Sequence, residues 1–487
     1  MIQKWVDNCS KTHTQCAAMA RKFPTNILPT RVIDLGMEES RLHVVDTNGQ
    51  QGRYIAFSYC WGNGHMPKTT TSDMPQSHEI AALPTSFRDV IRLCRLLGVR
   101  YLWIDCLCIV QDHQEDWEIE SSKMLGYYSG AFLVVAANRS PNPSEGLFGP
   151  REPCSVVEPR RTAADDGIVY RRFRPHLAFD QDFSSSSPLD RRAWALQERL
   201  SARRIIHFYE NETVWECESE VACECGALTP SNQRLEDDSL SLRRTVSFTS
   251  ILAATKEQCF IKWSALVERY TFCLLTRDED RLPALGGLAR LFELSGLRLY
   301  RAGLWREFIP RGLLWRVKNP LNVRRPVGYI APSWSWASLV GHVDWDLCFA
   351  YRLRYPGMLL DCETSPSGPD PFGKVGGGFL RMRTGTWETQ LEYQPATGFM
   401  ALACGESAYF DINAETKTSM FYQYQMVKCI LVAEGSSVPG QGPSTLLALV
   451  VREVGRKAEI PQYARIGLAT LDYTRLSDFS DETVVII

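Results

Sequence analysis

Three acidic side chains between residues 105 and 120 are the first candidates for chemistry. Asp105 interrupts an apolar, β-prone run, Asp112 lies in the acidic loop that follows, and Glu120 lies in a helical pattern. Glu120 recurs at spacings of three and four with apolar and aromatic neighbours, which places it on the inward face of that helix. The residues of that face are Trp117, Glu120, Met124, Tyr127, Tyr128 and Ala131.

A carboxylate buried alone costs roughly several kcal/mol, so Glu120 must be hydrogen-bonded, paired with a cation or tuned for a reaction. The first two alternatives make Glu120 structural, because a backbone amide, an arginine or a tyrosine would then only hold the fold. The third makes Glu120 the catalytic candidate. The pattern leaves both interpretations open.

A second group of polar residues follows an apolar strand that begins at Tyr54. Ser58, Tyr59, Trp61 and Gly62 stand where this strand ends in a glycine-containing loop. In open α/β sheets ligands bind at such strand ends, so these residues are candidate ligand contacts. The three-glycine dinucleotide fingerprint is missing, and Gly62 is also explained by a simple turn.

Arg192 and Glu198 belong to a dense polar and aromatic segment that opens a later helix. Arg192 is a further candidate for the ligand edge, although an ion-pair network that locks the segment explains the same residues.

Cys9, His13 and Cys16 stand at i, i+4 and i+7, which is one face of a helix and a geometry that a metal ion can use. Zinc needs a fourth ligand, and the sequence does not place one. Cys217, Cys223 and Cys225 have no zinc-finger spacing, so we predict structural thiols and no metal.

The elements that position these residues alternate between strand and helix from Tyr54 to Asn138. A strand at Tyr54, a helix after Pro84, a strand over Tyr101–Val110, a helix opened by Asp112 and a last strand form βαβ units. This alternation predicts a parallel sheet. The ends of its strands at Ser58 and Asp105 then open on one side.

Length and composition predict several domains. The 487 residues exceed one ordinary domain, and a net charge of -2 gives no general affinity for nucleic acid. We predict an N-terminal helix and hairpin over 1–50, an α/β core over 51–225, a helical segment over 226–325 and a β-rich antiparallel region over 326–487. No signal peptide or transmembrane segment is visible and sixteen cysteines are diluted over the chain, so we expect a cytoplasmic protein with reduced thiols.

Long stretches of the chain resemble the fungal heterokaryon incompatibility (HET) domain family. The stretches are YIAFSYCWG, LPTSFRDVIRLCRLLGVRYLWIDCLCIVQDHQEDW and the E, M, YY and A that follow, with WVDNCSKTHTQC, RRAWALQERLSARRIIHF, WEC, RDEDRLPALGGLA and APSWSWAS outside this core. The resemblance implies a fungal source and a role in nonself recognition that triggers programmed cell death. The HET domain is also similar, more distantly, to TIR domains, which implies a Rossmann-like core.

Some TIR domains cleave NAD with one glutamate on a helix beyond the ligand edge of the sheet, and Glu120 matches the HET glutamate by motif position. The resemblance therefore implies NAD glycohydrolase-like activity with NAD as the substrate and with no other certain cofactor. Two alternatives remain open. One is a non-enzymatic module for self-assembly or for binding an incompatibility partner protein, and the other is a scaffold recruited as a cyclase or isomerase in fungal secondary metabolism.

Overall fold

The computed structural model describes residues 1–22, 27–36, 40–62, 64, 66–73, 77–149, 156–157, 170–171, 187–224, 226, 246–394, 399–412, 426–437 and 442–487. The chain divides into two compact units, Met1–Ala253 and Ala254–Ile487. The finer division at residues 50, 225 and 325 stays a prediction.

The first unit is mixed α/β. Its helices are α1 Ile2–Thr12, α2 Thr14–Lys22, α3 Thr85–Leu96, α4 Asp105–Cys108, α5 Gln114–Ser122, α6 Met124–Gly130, α7 Ala193–Ser201 and α8 Phe248–Leu252. Its strands are β1 Arg31–Asp34, β2 Arg41–Asp46, β3 Tyr54–Ser58, β4 Ser77–Glu79, β5 Tyr101–Trp103, β6 Leu133–Ala136, β7 Val156–Val157, β8 Tyr170–Arg171, β9 Arg204–Phe208, β10 Thr213–Cys217 and β11 Val221–Cys223.

Nine of the strands described in this unit form one mixed sheet in the order β11-β10-β9-β6-β3-β5-β1-β2-β4. The four central strands β5, β3, β6 and β9 run parallel. The flanking strands pair antiparallel. Every residue of β3 and of β6 is buried, as expected for parallel strands that are covered on both faces.

Three predictions for the segment after Tyr101 are wrong. The strand over Tyr101–Val110 ends at Trp103, because Asp105 opens the short helix α4 instead of continuing the ladder. The single helix expected after it divides at Lys123 into α5 and α6. The helix α5 is opened by His113 instead of Asp112, because the N-cap is His113, whose Nδ1 accepts from the backbone N–H of Asp116.

The second unit is β-rich. Its helices are α9 Lys256–Thr271, α10 Pro283–Leu294, α11 Ile309–Gly312 and α12 Asp346–Ala350. Its strands are β12 Tyr300–Arg301, β13 Leu304–Trp305, β14 Arg316–Val317, β15 Val343–Asp344, β16 Arg352–Arg354, β17 Met358–Pro366, β18 Val375–Gln394, β19 Phe399–Leu402, β20 Ser407–Phe410, β21 Met426–Ser436, β22 Thr445–Lys457, β23 Ile460–Asp472 and β24 Ser480–Ile486.

The main sheet of this unit follows the order β16-β21-β22-β23-β24-β18-β17, and the β-rich C-terminal region is thereby confirmed. Its pairings are antiparallel except for β23 with β24. In the described part of the chain, no helix combines the length and apolar character needed to cross a membrane.

Candidate functional site

The candidate site lies where the direction of the strand connections reverses. The four parallel strands follow one another along the chain as β3, β5, β6 and β9, but β3 lies between β5 and β6 in the sheet. The connection from β3 to β5 therefore leads to one side of β3, and the connection from β5 to β6 crosses back to its other side. Ligands of open α/β sheets bind beyond the carboxyl ends of the strands at such a point.

The sequence places polar residues at these ends. Ser58 is the last residue of β3, and Asp105 opens α4 two residues after β5. Arg192 is the N-cap residue of α7, and Glu198 lies inside that helix. We call Ser58, Tyr59, Trp61, Asp105, Arg192 and Glu198 the edge cluster.

Asp105 is the hydrogen-bond acceptor that joins the β3 end to the β5 end. Its Oδ1 accepts from the Tyr59 hydroxyl at 2.8 Å and from the backbone N–H of Cys106 at 2.7 Å. Its Oδ2 accepts from the Trp61 indole N–H at 2.9 Å. Burial raises the pKa of Asp105, although these donors and the nearby Arg192 favour its ionised form.

Glu198 is the second carboxyl group of the edge cluster and is 7% exposed. Its Oε2 accepts from the Ser58 hydroxyl. Burial raises the pKa of Glu198 to about 7, an effect that the Asp105 charge reinforces and that Ser58 and Arg192 oppose. Glu198 is therefore divided between its neutral and ionised forms near neutral pH.

Arg192 supplies the positive charge. Its guanidinium donates to the backbone carbonyl of Tyr59, and its charge lowers the pKa of both Asp105 and Glu198. The cluster thus combines two carboxyl groups, one guanidinium and the half-buried Trp61 ring. A carboxyl group that titrates near neutral pH can exchange a proton or stabilise a developing positive charge.

Two further predicted ligand residues make other contacts. Asp112 is exposed and accepts from the backbone N–H and the hydroxyl of Thr71, both at 2.9 Å. Gly62 has a positive φ of 67°, and a Cβ there would lie 2.5 Å from Cβ of Asn142. Gly62 therefore allows a turn and a close approach to the chain at Asn142. Of the two interpretations of Gly62, as a turn residue or a ligand contact, the turn was the simpler.

Glu120 lies in a different hydrogen-bond network and is 1% exposed. Its Oε1 accepts from the Thr30 hydroxyl at 2.9 Å and from Lys123 Nζ at 2.8 Å, and its Oε2 accepts from the Tyr127 hydroxyl at 2.7 Å. Thr30 directly precedes β1, so this network fixes α5 and α6 to the start of that strand. Among the described residues, none of these hydrogen bonds reaches the edge cluster.

An open cleft of about 360 Å³ lies beside Asp112, at the start of α5. Two of its lining side chains, Glu115 and Asp116, are acidic, and Asp116 is paired with Arg31 at 2.5 Å. The remaining lining residues are Thr71, Val110, His113 and Ile119. The acidic lining disfavours a phosphate group there.

A buried polar chain beyond β6 is a feature that the sequence reasoning missed. His207 in β9 contacts Asn138 Oδ1 through Nδ1 at 3.1 Å and Glu216 Oε2 through Nε2 at 3.0 Å. Arg199 donates to both oxygens of Glu216, at 2.9 and 3.0 Å. Burial lowers the pKa of His207, and the adjacent Glu216 carboxylate opposes this effect. The members of this polar chain lie in three elements, β9, β10 and α7, and in the loop after β6, and no local pattern in the sequence indicates that they meet.

A group of metal-ligating side chains lies away from the edge cluster. Cys9, His13 and Cys16 meet Cys217, the last residue of β10. Cys225 lies outside the described residues, and Cys223 is a buried cysteine of β11. This group is the set of described residues that could hold a metal ion.

Comparison with known proteins locates the edge cluster inside a family segment. The model of the heterokaryon incompatibility protein (HET) family matches residues 54–198, from the start of β3 into α7. No curated protein and no solved structure matches the chain. Residues 54–198 are therefore similar to the heterokaryon incompatibility protein family, which supports a function of the heterokaryon incompatibility type for this chain.

Proposed function

We propose that this chain acts in fungal nonself recognition and triggers cell death by cleaving NAD at its nicotinamide–ribose bond. The observation that carries the proposal is the edge cluster, which places a carboxyl group with a pKa of about 7 beside an arginine at the ligand edge of the HET segment. The TIR analogy supplies the reaction, and the residues of this chain supply the groups that the reaction needs.

In this reaction the bond between the nicotinamide nitrogen and ribose C1′ breaks, and its electron pair leaves with nicotinamide. C1′ then carries oxocarbenium-like positive charge until water adds and releases a proton, giving ADP-ribose. The ionised form of Glu198 stabilises that developing charge. Arg192 is half-buried and provides guanidinium N–H groups for the diphosphate. The Trp61 ring provides a face for stacking.

Glu120 is the residue that the family resemblance nominates for the same role. Its three hydrogen bonds to Thr30, Lys123 and Tyr127 support a positioning role instead, since a reacting carboxylate must leave an oxygen for the substrate. The two glutamates make different predictions, so one experiment separates them.

The experiment measures nicotinamide release from NAD by the full chain, beside Glu198→Gln and Glu120→Gln, with thermal melting of each. We expect Glu198→Gln to abolish turnover while it remains folded, and Glu120→Gln to lower the melting temperature. Glu388→Gln changes an exposed carboxylate of the second unit and serves as the matched control. Turnover that is lost in Glu120→Gln without a change in melting would return the role to Glu120. Absence of turnover in the wild type, also after enforced oligomerisation, would refute the enzymatic proposal.

A non-enzymatic interaction module is the second candidate, and the hydrogen bonding of Asp105 favours it. That carboxylate already accepts three hydrogen bonds from its own chain, which is typical of a group that stabilises the local structure of a binding surface. Sedimentation of the purified chain with and without NAD tests this candidate. Self-association that is independent of NAD and unchanged in Glu198→Gln would support it, and a monomer at all concentrations would contradict the self-assembly form.

A further inference from the structure

Four metal-ligating side chains from separate parts of the first unit converge at one point. Cys9 lies in α1, His13 lies between α1 and α2, Cys16 lies in α2 and Cys217 ends β10. One ligand atom from each lies within 4.8 Å of all the others. Two hundred residues separate Cys217 from the other three, so chain proximity does not explain the meeting.

The spacing of the ligand atoms is close to that of a tetrahedral zinc site. With Zn–S bonds of about 2.3 Å and Zn–N bonds of about 2.0–2.1 Å, the ligand atoms of a tetrahedron lie roughly 3.5–3.8 Å apart. His13 Nδ1 lies 3.4 Å from Cys217 Sγ and 4.0 Å from Cys16 Sγ. Small adjustments of the side chains would therefore close the site around an ion.

A break in the helix at His13 makes this convergence possible. One continuous helix would spread residues 9, 13 and 16 along its length, over about 10 Å at 1.5 Å per residue. Instead α1 ends at Thr12, His13 is extended with φ -85° and ψ 99°, and α2 begins at Thr14. The expectation of one helix was wrong at this point, and the break brings the side chains of both helices to one centre.

The outer contacts orient the ligands as they do around zinc in proteins. His13 Nε2 lies 3.1 Å from Glu220 Oε2, so the carboxylate fixes the ring and leaves Nδ1 directed at the thiols. Arg204 Nε donates to Cys9 Sγ at 3.2 Å, and Ser219 Oγ lies 3.5 Å from Cys16 Sγ. Three thiolates with Zn²⁺ carry one net negative charge, which the adjacent Arg204 offsets.

We propose that Cys9, His13, Cys16 and Cys217 form a structural zinc site that fixes α1 and α2 to β10. The three cysteines are only 1%, 6% and 5% exposed, and four protein ligands leave no open position for substrate. Both properties are typical of structural rather than catalytic zinc. Its four ligands lie outside residues 54–198 and none belongs to the edge cluster, so the proposal does not rest on the proposed reaction. The competing interpretation is a cluster of packed thiols around a histidine.

The test measures zinc in the full chain after expression with added zinc and exhaustive dialysis. We expect about one zinc per chain in the wild type, almost none in Cys217→Ser, and wild-type content in Cys223→Ser. Cys223 is the matched control, because it is a buried cysteine of the neighbouring strand β11 that does not belong to the ligand group. Cobalt in place of zinc should give the visible bands of tetrahedral coordination and thiolate-to-cobalt charge transfer.

Glu220→Gln keeps all four ligands and removes only the carboxylate that orients His13. We expect a roughly 10-fold weaker zinc affinity with the cobalt spectrum retained. A chelator should lower the melting temperature of the wild type, and added zinc should restore it. A folded wild type that takes up neither zinc nor cobalt would overturn the proposal, as would equal loss of zinc in Cys217→Ser and Cys223→Ser.

Discussion

Replacing Glu198 with glutamine should make the protein more stable than the wild type at alkaline pH. Burial raises the pKa of Glu198 from its ordinary value of 4.5 to about 7, so the folded chain holds this proton more tightly than the unfolded chain does. Below pH 4.5 both states are protonated and folding gains nothing from the group. As the pH rises from 4.5 to 7, the unfolded chain releases the proton first, and the stability of the wild type falls.

The magnitude follows from the two pKa values. One pKa unit corresponds to about 1.36 kcal/mol. The rise of the Glu198 pKa from 4.5 to about 7 therefore makes the free energy of unfolding of the wild type about 3 kcal/mol lower above pH 7 than below pH 4.5. The amide of Glu198→Gln does not ionise, and its oxygen can still accept from Ser58. The variant should therefore match the wild type near pH 4.5 and exceed it by about 3 kcal/mol at pH 8.

Urea unfolding of both proteins at several pH values between 5 and 8, followed by tryptophan fluorescence, measures this difference. Groups that titrate elsewhere cancel when the wild-type free energy of unfolding is subtracted from that of the variant. Glu388→Gln makes the same substitution at an exposed carboxylate of the second unit and serves as the control. A flat difference for Glu198→Gln, or a variant less stable than the wild type at pH 8, would refute the assignment of a raised pKa and with it the chemical basis of the edge cluster.

Two further predictions concern stability. Asp411→Asn should lower the free energy of unfolding, measured in urea, by about 3 kcal/mol or more. The reason is that the buried Arg465 loses its carboxylate partner, whose Oδ2 lies 3.1 Å from Arg465 Nε in the wild type. A loss below about 1 kcal/mol would contradict this prediction. Gly62→Ala should destabilise the first unit by about 1–3 kcal/mol, because its new Cβ requires a positive φ and would contact Asn142. The control is Gly64→Ala, whose new Cβ would have no atom within 4 Å, so its melting temperature should equal that of the wild type.

The sequence predicted the elements whose residue patterns are local. The helix after Pro84 is present as Thr85–Leu96, and Gly98 follows it with the positive φ of a helix stop. The inward position of Glu120 is confirmed by its burial. These features depend on neighbours within a few residues along the chain. The strand over Tyr101–Val110 failed because hydrophobicity alone does not distinguish a buried strand from a buried helix turn such as α4.

The contacts of the candidate site depend on chain topology, which local residue patterns do not predict. Ser58 and Glu198 are 140 residues apart, and Glu198 lies in α7, which leads into β9, the strand beyond β6 from β3. The helical spacing of Glu120 indicated burial correctly, but it could not indicate which element the carboxylate would face. Cys217 was assigned no metal role for the same reason, since its strand reaches α1 and α2 only through the order of the sheet.

The family segment does not coincide with a complete structural unit. Residues 54–198 contain three of the four parallel strands, β3, β5 and β6. The fourth parallel strand, β9, begins after the segment ends. The other neighbour of this core, β1, comes from before the segment and pairs with β5. Without β1 and β9 both edges of the three-stranded core would expose unpaired backbone groups. The edge cluster therefore depends for its shape on the chain before and after the family segment. The zinc site that we propose connects these two flanking parts, because α1 and α2 come before the segment and β10 comes after it.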